Sequence, residues 1–334
     1  MFKSIIFILI QAYWLFSTVA IAAVCAVPPE RGINLAGAEF GPSKIPGTVN
    51  YDYRFPTAAK IQYYDGAGFN AVRLPFIWER LQPVLYGELD PAYLALIIKF
   101  LDDASLSSQR VVLDLHNYGR YRGNVVGTEA VPAQAFSDVW KRLAQALGNH
   151  RALLAYGLMN EPHDTGGLWH QVAQAGVDGI RMIDSSHYIY VAGDGWSNAH
   201  RWSSVNPTPF VTDPSGLAVY EAHVYFDADY SGRYLTALDD SVDLPLLVEQ
   251  RLKPFTDWLA KYGQRGVIGE WGVPGNDPGW LLALDKFLDV ADRNCLGWFY
   301  WAGGMWWSDA YVLSLEPING VDRPQMQRIR QRLQ

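Results

Sequence analysis

Short apolar runs alternate along the chain with stretches of helical spacing. Runs of that kind, bounded by turn residues or an abrupt change to polar groups, read as buried strands. They are Gly32–Leu35, Ala71–Pro75, Arg110–Leu115, Leu154–Met159, Tyr188–Val191, Ala218–Val224, Gly266–Ile268 and Gly297–Trp301. Three of the intervening helices are well signalled. Asp90-Pro91 offers an N-cap and an N1 proline ahead of Leu94, Ile97, Ile98 and Leu101. Phe136, Val139, Trp140, Leu143 and Leu147 keep helical spacing and stop at Gly148. Val248, Leu252, Phe255 and Leu259 do the same after Pro245. Eight strands with helices between them predict an α/β fold, a (β/α)8 TIM barrel. A doubly wound open sheet normally carries a Gly-rich phosphate turn after its first strand, and Gly32-Ile33-Asn34-Leu35-Ala36-Gly37-Ala38 is not one. No linker, internal repeat or low-complexity tract interrupts the pattern, so a single domain is expected.

In such a barrel the carboxyl ends of all strands face one mouth. Those ends carry Arg73, then His116-Asn117-Tyr118, Asn160-Glu161, His223 and Tyr225, Glu270-Trp271, and Trp301. Polar groups at the ends of core strands are costly unless a site uses them. The stretch Gly157-Leu158-Met159-Asn160-Glu161-Pro162-His163-Asp164 stands out, because an amide, a carboxylate and a proline directly follow a buried run.

Composition narrows the ligand. Aromatic residues make up 14% of the 334 residues, with 13 Trp and 19 Tyr. Flat apolar faces in that number suit sugar rings, although core packing takes up part of them. Residues 1–26 read as an export leader: Lys3 is the positive region, Ile5 to Val24 is mostly apolar, and Val24-Cys25-Ala26 resembles a cleavage site. Cleavage is expected after Ala26, with Ala20 and Ala23 as alternatives, and residues 27–334 form the domain. A retained membrane anchor competes, since about 20 apolar residues can just span a bilayer, but Gln11, Ser17 and Thr18 weaken it. The expected location is therefore extracellular, with a periplasmic or anchored protein as the alternative. Without the leader, 34 acidic side chains face 26 basic ones, which argues against nucleic acid or anionic membrane as partner. Cleavage after Ala26 leaves Cys295 as a lone, buried thiol. No metal or cofactor is expected, because the histidine spacings offer no ligand pair. A monomer without an obligatory protein partner is expected.

Two glutamates from different strands, surrounded by an arginine, two histidines and a tyrosine, suit cleavage of a glycosidic bond. One carboxyl must be protonated and the other ionised. Glu270 near Arg73 has its charge favoured, and Glu161 near Glu270 has its charge disfavoured.

Five motifs carry a family resemblance: Asn70-Ala71-Val72-Arg73-Leu74-Pro75, Leu113-Asp114-Leu115-His116-Asn117-Tyr118, Asn160-Glu161-Pro162, His223-Val224-Tyr225 and Gly269-Glu270-Trp271-Gly272. In this order they resemble glycoside hydrolase family 5. Ile33-Asn34-Leu35-Ala36-Gly37-Ala38-Glu39-Phe40, Trp78-Glu79-Arg80-Leu81-Gln82-Pro83 and Trp301-Ala302-Gly303-Gly304-Met305-Trp306-Trp307 resemble its endo-β-1,4-glucanase branch. The resemblance implies Glu161 as acid/base and Glu270 as nucleophile of a retaining double displacement. It implies Asn160 as the partner of the sugar 2-hydroxyl, and Arg73 and Tyr225 as the groups that hold Glu270. His116 and His223 would line the −1 subsite, with Trp301 as its stacking platform.

Further candidates to touch sugar are Glu39, Trp78, Asn117, Trp196, His200, Trp202, Trp306 and Trp307. Glu221 is a candidate to contact sugar or support the site, Trp140 is expected in the core, and Asp227–Asp229 in a solvated loop. The favoured reading is an exported endo-β-1,4-glucanase acting on a β-glucan polysaccharide or oligosaccharide. Mannan, mixed-linkage glucan and xyloglucan are alternatives within the class, because one hydroxyl's orientation separates glucan from mannan. A non-catalytic sugar-binding barrel is the alternative outside it, and the carboxylate pair speaks against it. A retaining pair requires carboxyl groups about 5 Å apart, and a gap near 9 Å indicates inversion.

Overall fold

The computed structural model of the chain describes Cys25, residues 29–239 and residues 241–334. Apart from Cys25, the leader lies outside the described residues. The apolar runs form a closed parallel barrel of eight strands in sequence order. These are β1 (Arg31–Ala36), β2 (Ala71–Phe76), β3 (Arg110–Leu115), β4 (Leu153–Gly157), β5 (Tyr188–Ala192), β6 (Ala218–Tyr225), β7 (Gly266–Gly272) and β8 (Gly297–Gly304), with β8 closing onto β1. Around them lie α1 (Ala58–Asp65), α2 (Trp78–Leu81), α3 (Pro91–Leu106), α4 (Ala133–Leu147), α5 (Trp169–Arg181), α6 (Trp202–Val205), α7 (Leu244–Tyr262), α8 (Pro278–Arg293) and α9 (Pro324–Leu333). Caps set several of these helices. The Asp90 carboxylate accepts from the Tyr93 N–H ahead of α3, and Asp243 accepts from the Leu246 N–H ahead of α7. Phe136, Val139, Trp140, Leu143 and Leu147 of α4 are all buried, as their spacing predicts.

Alternation along the strands divides each barrel wall into two faces. Val72, Leu74, Val111, Leu113, Tyr220, Ala222 and Ile268 face outward into one large core shared with the helices. Inside, the floor is apolar: Ala71, Val112, Ala155, Tyr190, Val219, Val267 and Phe299 pack together. The next inward positions up the strands are polar and fully enclosed, namely Asn34, Arg73, Asp114 and Glu221.

Register shifts interrupt the β1–β8 and β3–β4 pairings as well, but the one in β7 bears on the site. Along β6 and β7, Ala222 pairs with Ile268 but the next residue, His223, pairs with Glu270. The β8 side shows the same extra residue, since Trp298 pairs with Ile268 and Tyr300 with Trp271. A bulge at Gly269 therefore re-aims the strand. Val267 and Glu270 both face inward, while Ile268 and Trp271 belong to the outer core.

Four expectations are corrected. The fourth strand ends at Gly157 rather than Met159, although Leu158 and Asn160 still bond to its neighbours before Glu161 turns to φ +43°. Trp78 is fully enclosed between Tyr121 and Phe136, and its Nε1–H donates to Gln82. Trp202 is equally enclosed, against Tyr220, Phe255 and Trp258. Both sit on short helices after a strand end, but with the indole turned into the core rather than toward the mouth. Cys295 is not a lone thiol: it forms a disulfide with Cys25, with Cα atoms 5.6 Å apart. This bond ties the segment before β1 to the turn between α8 and β8. Trp202→Ala should lower unfolding stability by about 3–5 kcal/mol in urea denaturation. A near-zero change there would contradict its place in the core.

Candidate active site

The carboxyl mouth of the barrel assembles the groups that the strand ends carry. Arg73 on β2 is fully enclosed, and its guanidinium is shared among several strands. Its Nη1 donates to Asn34 Oδ1 on β1 at 2.9 Å and to Glu270 Oε1 on β7 at 3.1 Å. Its Nη2 donates to Asn160 Oδ1 at 2.9 Å and lies 3.0 Å from both Asp114 Oδ1 and Glu221 Oε1. Burial works against the arginine's charge, but Asp114, Glu221 and Glu270 outweigh it and raise its pKa.

Glu270 receives a second donor from above, the Tyr225 hydroxyl at 2.9 Å from Oε2. Burial raises the Tyr225 pKa, followed by the Glu270 charge, so this hydroxyl keeps its proton. Glu161 leaves the end of β4 in the left-handed region, just before Pro162. Ladder bonds carry the chain to it: Leu158 N–H donates to Tyr190 O, and Asn160 N–H to Leu115 O. Glu161 Oε1 lies 2.8 Å from His223 Nδ1, whose other nitrogen lies 3.2 Å from Glu221 Oε1. One donor atom each from Glu161, His223 and Glu270 fall within 4.8 Å of one another. Among the described residues this group also has the spacing of a metal site, but protein hydrogen bonds already engage both imidazole nitrogens.

The proton balance departs from one expectation. Burial is the largest influence on Glu270 and raises its pKa; His223 lowers it, Glu161 raises it, and Arg73 and His116 lower it. The net direction is upward, so desolvation and the neighbouring carboxylate outweigh the arginine that was expected to decide the matter. Burial also opposes the charged form of His223, yet Glu270, Glu161 and Glu221 together push it up to about 10. Asp114 holds His116 through Nδ1 at 2.7 Å and raises its pKa against burial. That leaves His116 Nε2 facing Asn160 Nδ2 at 3.3 Å and the Tyr118 hydroxyl at 3.2 Å.

Aromatic groups line the approaches. The Trp301 ring is half-buried and parallel to His116, with centroids 5.6 Å apart, and its Nε1–H donates to the Tyr311 hydroxyl. Trp307 packs on Tyr311 and against Phe40, and Trp306 lies beside Phe40. On the opposite side a cavity of about 350 Å³ opens between Glu161, Trp196, Arg201, His223, Tyr225 and Tyr230. Trp196 is 47% exposed and stacked flat on His163. Its N–H donates to Pro162 O, which fastens this loop to the Glu161 segment. Glu39 is buried in the segment after β1, within electrostatic reach of His116 and Asp114. Oε2 accepts from the Gly37 N–H, Oε1 has no partner among the described residues, and burial, against His116, pushes the carboxyl up to about 7. A larger cavity of about 520 Å³ lies at the opposite, amino end, beside the disulfide and the strand starts. It lacks the paired carboxylates.

Two candidates take other places, and one loop expectation changes. Asn117 spends its amide on the protein, accepting from the Trp78 N–H and donating to Glu79. His200 is exposed and stacked on Tyr230, outside the residues that line the 350 Å³ cavity. Asp227 is not solvated: it is buried and accepts from the N–H groups of Gly232 and Tyr234, whereas Asp229 is exposed beside Arg233. Asn34, Asp114 and Tyr311 join the site without an expectation from the sequence. For Asp114 a signal exists, since it lies two residues before His116 on a strand and so shares its face.

The cellulase (glycosyl hydrolase family 5) model matches residues 32–307 of this chain. Endo-β-1,4-glucanase B of Emericella nidulans is 33% identical over 296 residues, covering 87% of each chain. Among solved structures, Pseudomonas stutzeri endoglucanase Cel5A in complex with cellobiose is 42% identical. It covers 91% of this chain and 92% of its own, with a TM-score of 0.88. An endo-β-1,4-glucanase of Xanthomonas axonopodis pv. citri is 39% identical, covering 90% and 97%, with a TM-score of 0.84.

Tyr225→Phe removes a donor from ionised Glu270 and should raise that pKa further. The acid limb of kcat/KM should move to higher pH, and an unmoved limb would show that the hydroxyl does not hold the carboxylate.

Proposed function

The chain belongs to the cellulase family, glycosyl hydrolase family 5, and from that premise we propose that it is an endo-β-1,4-glucanase working by retaining double displacement at Glu161 and Glu270. The observation that carries this reading is the carboxylate pair, with oxygens within 4.8 Å of each other at the carboxyl mouth. Spacing of that order suits direct attack on the anomeric carbon; an inverting pair stands about 6.5–9.5 Å apart to admit a water.

Glu161, protonated, gives its proton to the departing glycosidic oxygen while Glu270 attacks the anomeric carbon and forms a glycosyl-enzyme. Glu161, now ionised, takes a proton from water as that water displaces Glu270. Arg73 and Tyr225 keep Glu270 aimed. Asn160, gripped by Arg73, is placed to bind the sugar 2-hydroxyl, and Trp301 with His116 supplies the wall of the −1 subsite. Because the leaving group must lie on the acid's side, the cavity bounded by Trp196 and Tyr230 receives the aglycone. Trp306, Trp307 and Glu39 lie toward the glycone side. Conversion of the open glucan chain is endo-acting, and the substrate is a β-glucan polysaccharide or oligosaccharide.

We also propose that the protein is exported and that its leader is cut before Cys25, at Ala20 or Ala23 rather than after Ala26. The Cys25–Cys295 disulfide supports this, since such bonds persist in oxidising compartments and a cut after Ala26 would discard one partner. Among the described residues no helix is long and apolar enough to cross a membrane. Intact-mass analysis of protein from an exporting host should give an amino terminus upstream of Cys25 and no free thiol.

Carboxymethylcellulose and barley β-glucan should lose viscosity faster than reducing ends appear, with less action on xyloglucan and glucomannan; the reverse order would overturn the substrate assignment. Glu161→Ala and Glu270→Ala should each lower turnover about 10²–10⁴-fold or more with the fold intact. Proton NMR of the first products should show the β anomer. Trp196→Ala should raise KM for long oligosaccharides with little change in thermal midpoint.

A further inference from the structure

Glu221 touches none of the reacting atoms in the scheme above, yet its carboxylate is built into the site from every side. Alternation along β6 places Val219 in the apolar floor and Glu221, His223 and Tyr225 above it, facing inward. Glu221 is 1% exposed. Its Oε1 lies 3.0 Å from Arg73 Nη2 and 3.2 Å from His223 Nε2. Room for it comes from the bulge in β7: a Cβ on Gly269 would stand 1.9 Å from that same oxygen. The residue before Glu270 thus has no side chain where the Glu221 carboxylate lies.

His223 has two nitrogens and, when neutral, one proton. A carboxylate held by Arg73 can only accept, so it fixes that proton on Nε2. Nδ1 is then left facing Glu161 Oε1 at 2.8 Å. With Glu161 protonated, Nδ1 accepts its hydrogen bond. With Glu161 ionised and the imidazole charged, Nδ1–H donates to it. Without Glu221 the neutral ring is free to carry its proton on Nδ1, and the protonated acid then loses its acceptor. The other charges facing this ring are Glu270, at 3.7 Å from Nδ1, and Arg73 and Asp114 behind Glu221.

We propose that Glu221 is a positioning residue for the acid/base: clamped by Arg73 in the slot over Gly269, it fixes the tautomer of His223 and so holds Glu161 in both its protonated and ionised states. This rests on the acid/base role of Glu161 given above. The raised pKa of His223, to which Glu270, Glu161 and Glu221 contribute, agrees with a ring that shares a proton with its carboxylate neighbours.

The test compares kcat/KM for a cello-oligosaccharide, whose leaving group needs protonation, with that for 2,4-dinitrophenyl β-cellobioside, whose leaving group does not. Glu221→Gln keeps shape and removes charge; Gly269→Ala pushes the carboxylate out of its slot without altering it. Each should lower the oligosaccharide value at least about 10-fold and the aryl value less than about 3-fold. Each should also move the alkaline limb of the oligosaccharide profile to lower pH. Equal losses on both substrates, or none, would overturn the inference while the wild-type activity still stands. A wild-type protein that cleaves neither substrate would overturn the functional reading and the inference with it. Nitrogen-15 NMR of His223 in the wild-type protein at alkaline pH needs no variant: the proton is expected on Nε2, and a proton on Nδ1 refutes the assignment.

Discussion

The structure depends on one enclosed guanidinium. Arg73 lies inside the barrel above an apolar floor, out of contact with solvent, and a charge so placed is tolerated only if it is paired and hydrogen-bonded. The pairing comes from Asp114 on β3, Glu221 on β6 and Glu270 on β7, while Asn34 on β1 and Asn160 beyond β4 accept from its two terminal nitrogens. Five neighbouring segments are thereby fixed relative to β2. Burial of this kind is costly, and what it yields is geometry: the carboxyl ends of these strands cannot drift apart without leaving charges unpaired. Three carboxylates around one arginine also leave an excess of negative charge, which is why the two histidines above them are pulled toward their protonated forms.

The same arrangement occurs twice. On β3 and on β6 an acid two residues before a histidine shares its face, engages its ring, and meets Arg73 on the other side. Asp114 sets His116 beside the sugar-stacking wall, and Glu221 sets His223 beside Glu161. Because Asp114, Glu221 and His223 sit on strands and His116 directly follows one, the side chains that meet the substrate inherit the rigidity of the barrel wall. The loops supply what can vary, namely the aromatic approaches: Trp196 on the leaving-group side, and Trp306 and Trp307 on the other.

Much of this was legible along the chain. Eight apolar runs gave the barrel because parallel strands are buried on both faces and read as largely apolar, and their polar ends marked one mouth. Glu161, Glu270, Arg73, His116, Asn160, His223, Tyr225 and Trp301 could be named because each stands where such a strand ends, and all of them converge. The tryptophans were not legible in this way. Trp78 and Trp202 follow strand ends just as Trp196 does, and nothing local distinguishes an indole turned inward from one turned to solvent. The neighbours decide it: Phe136 and Tyr121 enclose the first, Phe255 and Trp258 the second, and none of these is near in sequence.

What the sequence determined by itself is the inventory and the order: strands of period two, helices with their caps, and acid, amide, histidine and tyrosine groups at the ends of particular strands. Those follow from local spacing, which folding cannot alter. What only the tertiary structure decided is which face each group takes and which groups share a charge. Strict alternation from Val267 would send Glu270 outward beside Ile268; the bulge turns it inward next to Gly269, and only pairing with β6 and β8 reveals it. The balance between burial and Arg73 at Glu270 and the enclosure of Glu221 over Gly269 likewise depend on atoms brought together from distant strands. So does the bond from Cys25 to Cys295. These are properties of proximity and desolvation, and neither is written in the neighbourhood of any one residue.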